Sequence, residues 1–263
     1  MKNQILNALF IFVITSGFLF AGEKQERTET NIPFQPGGYL HLKNENGDIH
    51  VTSWNEDMVH IIAFKRIHSS RKGNEDELLD QIEINIDQQG DELEIETRGP
   101  RSSDGFLGRI FNRNKSSYSV DYEIHVPEQI DLNLENANGN IEVRGVEGKI
   151  RLETTNGNIE AHEIEGLAKC KTTNGSIYSE FEAVPDEDKM SFVTTNGSIK
   201  LFLPEDFGGE LDLKTINGNI DSDFPIRVEG RWSQKQFHGR VNEGNCDLHC
   251  STVNGSIDLY YTD

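Results

Sequence analysis

The chain has 263 residues, 45 of them acidic and 25 basic, for a formal net charge of −20 at pH 7. A surface this acidic repels nucleic acid and anionic lipid at long range, which excludes general nucleic-acid binding. Its 3 cysteines cannot all pair, so at least one is an unpaired thiol.

Lys2 precedes an apolar run from Ile5 to Phe20, closing in Leu19-Phe20-Ala21-Gly22. These are the charged, apolar and small-residue parts of a secretory signal peptide, assigned to residues 1–21 with cleavage after Ala21. Leu19 is imperfect three residues before that cut, and an uncleaved anchor is the alternative. No Cys stands near the end of the run, which argues against a lipoprotein. Nothing later is apolar and long enough to span a membrane. The expected location is the periplasm, the cell surface or the exterior. Residues 22–31 are polar and expected to be flexible, and 32–263 read as one folded domain.

Leu40 and Leu42 alternate into the phrase Asn46-Gly47-Asp48-Ile49, and Val51 continues the pattern to a turn near Trp54-Asn55-Glu56-Asp57. Another strand is predicted over 59–67, and one or two helical turns over 74–81. Ile82, Ile84 and Ile86, then Leu93, Ile95 and Thr97, alternate on either side of Gln89-Gly90-Asp91, a strand pair joined by a turn. Residues 98–117 break the pattern. They carry Arg98, Arg101, Arg109, Arg113 and Lys115 against Asp104 alone, with Phe106, Leu107, Ile110 and Phe111 as an apolar side. A loop of this length is usually functional or disordered. It is expected either to dock an anionic glycan, a phosphate-bearing envelope polymer or an acidic partner, or to be an excursion without one.

Alternation resumes at Val120, Tyr122, Ile124 and Val126, and Pro127 ends it. From there the chain repeats one phrase: Asn138-Gly139, Asn156-Gly157, Asn174-Gly175, Asn196-Gly197, Asn217-Gly218 and Asn254-Gly255, each with Ile three residues after the Asn. Successive Asn are 18, 18, 22, 21 and 37 residues apart, the last step reading as two rungs with one phrase missing. Residues around each phrase alternate with period two, so each is a strand, a tight corner and another strand. Gly accepts positive φ at no steric cost, and Asn tolerates it better than most.

Two all-β architectures fit. Asn-Gly is a strong hairpin signal, so the phrases suit the tips of an antiparallel meander or sandwich. They also suit the corners of a β-solenoid, parallel β-helix-like, with rungs of roughly 18–22 residues stacked about 4.8 Å apart. Superposition favours the second. Leu152, Cys170, Phe192, Leu213 and Cys250 share one position, the Ile residues another, and Thr154, Thr172, Thr194, Thr215 and Thr252 a third. Stacking rewards such identical columns, whereas a meander does not need them. Each buried Ile would contribute ~1.5–3 kcal/mol. The stretch 224–245, with Trp232, Phe237 and His238-Gly239-Arg240, stands where the missing phrase would be, and Tyr260 and Tyr261 are placed to cap the stack.

Asp121-Tyr122-Glu123-Ile124-His125-Val126-Pro127, then Asn138-Gly139-Asn140-Ile141-Glu142-Val143, Thr154-Thr155-Asn156-Gly157 and Thr252-Val253-Asn254-Gly255-Ser256-Ile257, carry a resemblance. Together they make the chain similar to the bacterial putative-adhesin family of β-strand-repeat envelope proteins, over about Gly38 to Tyr261. The resemblance implies an exported, β-solenoid-like protein, akin to the toast-rack folds of envelope-stress systems. It implies no catalytic residues.

The residues offer little chemistry of their own. The 8 His are scattered and show no zinc spacing. No EF-hand or β-roll calcium repeat is present, and Asp186, Glu187 and Asp188 read as an exposed corner. The cysteines read as small buried hydrophobes. No nucleophile elbow, His-Glu-Xaa-Xaa-His or phosphate loop occurs, and the acids are spread over every rung rather than paired across a sugar bond. The expectation is a non-catalytic, cofactor-free envelope protein, adhesin-like or a scaffold module, binding a polymer or protein partner through its flat sides or basic loop. The alternatives are an envelope-stress sensor or adaptor and a carbohydrate-active β-helix enzyme. Oligomeric state is not legible.

Overall fold

The computed structural model describes residues 18–20, 23–69, 75–100, 116–185, 187–225, 227–228 and 235–262. In chain order the first strands are β1 (Phe18–Phe20), β2 (Glu23–Pro33), β3 (Gly38–Lys43), β4 (Ile49–Trp54) and β5 (Met58–Ser69). The helix α1 (Glu75–Asp80) follows, then β6 (Glu83–Gln89), β7 (Glu92–Arg98), β8 (Ser116–Pro127), β9 (Ile130–Asn138) and β10 (Ile141–Arg144). The remaining repeats are β11 (Glu147–Asn156), β12 (Ile159–Lys171), β13 (Ile177–Ala183), β14 (Glu187–Val193), β15 (Ile199–Leu203) and β16 (Gly209–Lys214). The chain closes with β17 (Ile220–Ser222), β18 (Arg227–Val228), β19 (Gln236–Val241), β20 (Asn245–Ser251) and β21 (Ile257–Tyr261). All join one curled sheet of mixed parallel and antiparallel pairing.

The pairing at the Asn-Gly corners is parallel from phrase to phrase. Asn46, Asn138, Asn156, Asn174, Asn196, Asn254 and Asn217 bridge in that order. After the corners, Ile49, Ile141, Ile159, Ile177, Ile199, Ile257 and Ile220 stand in register. Before the corners, Leu42, Leu134, Leu152, Cys170, Phe192, Cys250 and Leu213 do the same. Both columns face the core and all but Ile220 are fully buried. The two limbs are therefore one sheet folded at the corners, with side chains alternating inward and outward along each strand.

The corners are held by side-chain ladders running along the stack. Asn156 Nδ2 donates to Asn138 Oδ1 at 2.7 Å, and the same bond recurs for Asn174, Asn196 and Asn254 at 2.7–2.8 Å. The threonines bond differently from a Thr-to-Thr ladder. Thr172 Oγ1 donates to the Gly157 carbonyl at 2.9 Å and Thr194 Oγ1 to that of Gly175 at 2.8 Å. Each hydroxyl thus satisfies the corner carbonyl of the neighbouring rung, which the buried site would otherwise leave short of a donor.

Four expectations change. The phrase at Asn254 does not follow that of Asn217 in space; it lies between those of Asn196 and Asn217. The 37-residue step is a return path rather than a skipped rung. After β17 the chain runs back through β18 and β19, antiparallel to β16, before β20 and β21 enter the stack. Tyr260 and Tyr261 accordingly do not cap it: β21 is paired on both sides. Residues 22–31, expected to be flexible, lie mostly in β2, which pairs with β5 over eleven residues from Glu23 to Pro33. Finally, the parallel stack is closed at its N-terminal end by antiparallel strands, β2·β5·β8 on one limb and β6·β7 on the other. Apart from 18–20, the expected signal segment lies outside the described residues, as does Trp232. Among the described residues no helix is long and apolar enough to cross a membrane.

Candidate functional site

Outward positions on the limb before the corners are set by the parity that buries Leu132, Leu134, Ile150, Leu152, Ala168 and Cys170. The residues between them face solvent, and on three neighbouring strands they include basic residues close together. β11 presents Lys149 and Arg151, β12 presents Lys169 and Lys171, and β14 presents Lys189. Register places Arg151 directly beside Lys169, and Lys169 beside Ser191.

Their neighbours only partly neutralise them. Lys149 Nζ lies 3.8 Å from Asp188 and Lys189 Nζ 3.1 Å from Asp247, while Arg151 pairs with Glu153 on its own strand. Lys149 and Lys189 keep 70% and 75% of their side-chain surface exposed. Such pairs contribute roughly 0–1 kcal/mol and release readily to a competing anion. Lys169 and Lys171 have no ion-pair partner among the described residues. A trough of about 470 Å³ runs over this cluster, with Tyr39 at one side and Leu167 in its floor. A second hollow of about 720 Å³ shares Lys169 and Lys189 with it and continues past Ser191, His249 and His238.

In that second hollow Ser191, His249 and Asp212 fall in one row across β14, β20 and β16. His249 Nδ1 meets Asp212 Oδ2 at 3.0 Å, the orientation of a relay. Yet Asp212 and His249 keep 51% and 45% of their side chains exposed, where water competes with every step of a proton transfer. A working relay holds its base rigidly by a buried acid, and this acid is not buried.

The limb after the corners carries a run of rings. His162–Tyr178, Tyr178–Phe202 and Phe202–Tyr260 lie 4.9, 5.4 and 5.3 Å apart, with Lys200 Nζ 5.0 Å from the Tyr260 ring. At its other end Trp54, His60 and His125 stack within 5.8 Å of one another. His60 Nε2 is 2.9 Å from Glu29, and this contact together with Arg27 holds the Glu29 carboxyl below its ordinary range. Among the described residues no group of three or more His, Cys, Asp or Glu is arranged to hold a metal.

The cysteines are buried and unpaired. Cys170 and Cys250 share a column with Phe192 between them, so about two strand spacings separate them, beyond the ~7 Å limit of a disulfide. Burial pushes the Cys170 thiol up to about 12 and, with Asp247, the Cys246 thiol up to about 11. Thiolate is the reactive form, so the native protein is expected to show no fast reaction with a disulfide reagent at pH 8, and three thiols after denaturation. Fast native labelling of even one thiol would contradict this packing.

Of the basic-loop residues, Arg98 is exposed and bonded to Glu96 at 2.7 Å. Arg101, Arg109, Arg113 and Lys115 lie outside the described residues. The ends of that segment are well placed. β7 is in register with β3 and β8 with β4, so Arg98 ends this terminal rung close to the level of the Asn-Gly corners, while β8 begins beyond that level at Ser116, paired with β5. The Tyr118 hydroxyl bonds Glu45 there, and Thr97 Oγ1 lies 2.7 Å from the buried Tyr122 hydroxyl. The predicted turn residues Asn46, Gly47, Asn138, Gly139, Asn156, Gly157, Asn174, Gly175, Asn196, Gly197, Asn217, Gly218, Asn254 and Gly255 all sit at the corners. The cationic cluster, by contrast, was not read from the sequence. Its signal was the 18-residue step, which superimposes Arg151 on Lys169.

The family described as Toastrack DUF4097 matches residues 7–260. No curated protein matches. Among solved structures the chain is similar to a "putative cell adhesion protein" from Clostridium sporogenes at 14% identity and a TM-score of 0.42, covering 90% of this chain and 100% of that one. A "putative adhesin" from Bacteroides fragilis is similar at 9% identity and a TM-score of 0.41, over 89% and 96% of the two chains. One from Parabacteroides merdae is similar at 11% identity and 0.29, over 89% and 95%.

Proposed function

The chain belongs to the Toastrack DUF4097 family, and from that premise we propose that it is an exported, non-catalytic, β-solenoid-like module of the cell envelope that binds a polymer or protein partner. The observation that carries this reading is the corner ladder. Seven Asn in one hydrogen-bonded row hold two long limbs in register, so outward side chains repeat at about 4.8 Å along a rigid face. A face of that kind suits recognition of an extended partner, because its contacts are pre-ordered and little entropy is lost on binding. The exposed acid of the Ser191–His249–Asp212 row supports the non-catalytic part. Export rests on the Lys2-led apolar run.

The basic segment belongs to the same reading, as an extra contact at the end of the stack. A screen of the chain against immobilised envelope glycans and polyuronates tests the whole. Binding without turnover is expected, and deletion of 101–115 is expected to weaken retention of anionic members. Turnover of any polymer would instead install the β-helix enzyme reading. Unchanged retention after the deletion would make the segment an excursion only.

A further inference from the structure

The cationic cluster on β11, β12 and β14 is a local reversal of sign on a chain of net charge −20, and the inference rests on the surface-binding reading above. We propose that the trough it lines is the binding site for a linear anionic polysaccharide carrying carboxylate groups, lying across the strands along the stack.

Four features select that ligand. Arg151 and Lys169 stand one strand apart in register with Ser191 beyond them, and Lys149 and Lys189 each stand two residues before that row, on either side of Leu167. Cations so arranged recur about once per 4.8 Å step, a spacing of the order of one sugar ring. The cations are available: Lys169 is unpaired among the described residues, and the Lys149 and Lys189 pairs are exposed. The trough is also not purely charged. Tyr39, with 38% of its surface exposed, offers a ring face against which the apolar side of a sugar packs, and Leu167, on the outward parity of β12, makes an apolar floor. Lastly, Asp131, Asp188 and Asp247 stand among the cations. They accept hydrogen bonds from hydroxyl groups, but they repel a polymer as densely charged as duplex DNA, with one charge per about 1.7 Å. A sparse, hydroxyl-rich polyanion satisfies both signs; a nucleic acid does not.

The trough is open at the end shared with the hollow beside Ser191, so a chain of several sugars lies along it without being bent into a cavity. Binding therefore grows with ligand length and falls with salt, because exposed charges are screened beyond about 8 Å at physiological ionic strength.

The test is calorimetric titration of the full chain with polygalacturonate, an uncharged glucan and duplex DNA, comparing wild type with Lys149→Glu/Lys169→Glu. Lys214→Glu, at an exposed position of β16 outside the trough, reports the effect of a charge reversal elsewhere on the surface. The expected results are binding of polygalacturonate alone, weakening of about tenfold or more in the double variant, and little change in Lys214→Glu. An unchanged thermal melt of the double variant shows that folding is not the cause. Equal binding by wild type and double variant overturns the site. So does equal weakening by Lys214→Glu, which would reduce the effect to overall charge. If the glucan or DNA binds as well as polygalacturonate, the ligand class is wrong. Binding of the glucan alone removes this site while leaving the surface-binding reading in place. Failure of the wild type to bind any polymer of the screen removes both.

Discussion

Ile177→Asp is expected to abolish the cooperative unfolding transition of the native chain, or to lower its midpoint by on the order of 10–20 °C. Ile177 is 1% exposed and stands between Ile159 and Ile199 in the column after the corners. An unpaired carboxylate there loses its hydration with no cation to replace it, one of the few single changes that cost more than ~5 kcal/mol. For a chain of this size about 1 kcal/mol corresponds to roughly 2–4 °C. Ile177→Val, which keeps the chemistry and removes one methyl group, is expected to cost only ~1 kcal/mol.

The pH dependence identifies the cause. Burial raises the folded-state pKa of the introduced carboxyl above its unfolded value of about 3.9. The deficit is therefore full at neutral pH and shrinks as pH falls toward that unfolded value, where the group is neutral in both states. Melts of both variants between pH 4 and pH 8 measure this. A variant that melts like the parent at pH 7 would remove the Ile column as the element that couples the rungs.

How much of this was legible follows from which signals are local to one rung. The corner phrase is local: Asn, Gly and a following Ile in a period-two context specify a bend and a core residue, and those at Asn138 to Asn196 stack in chain order. The position of the phrase at Asn254 is not local. A return path through β18 and β19 and a skipped rung leave the same gap in the sequence, and only the pairing of β20 with both β14 and β16 separates them. β2 was misread for a related reason. Its Glu-Lys-Gln-Glu-Arg-Thr-Glu run looks solvated, but an edge strand needs few buried side chains when its backbone is paired. Here Thr30 and Ile32 are the buried members, Glu26–Lys65 joins β2 to β5 on that same face, and Arg27–Glu29 and Glu29–His60 tie its other face to itself and to β5. The cationic trough is not legible along the chain, where Lys149, Arg151, Lys169 and Lys189 are diluted by intervening acids. Counted across rungs, they are neighbours.

Gly175→Ala is expected to be nearly as damaging as the buried charge, for a reason that backbone dihedrals alone do not supply. A Cβ built on Gly175 would sit 1.9 Å from the Gly157 carbonyl oxygen, and the same contact recurs at Gly197 against Gly175. No real Cβ approaches an oxygen so closely, so the rungs must part by more than an ångström. That separation strains the Asn174–Asn156 bond at 2.7 Å, the Ile159 N–H bond to Ser176 at 3.0 Å and the Thr172 bond to Gly157 at 2.9 Å together. Losing several bonds of one ladder, on top of the backbone clash, places the cost at about 4 kcal/mol or more. Gly90→Ala separates this from simple conformational strain. Gly90 has φ of 70° but nothing within 4 Å of its missing Cβ, so alanine there meets only the left-handed penalty of ~1–2 kcal/mol. Chemical denaturation of the two variants gives the order directly. If Gly175→Ala costs no more than Gly90→Ala, the corner glycines serve the turn alone, and the close approach of rungs is not what selects them.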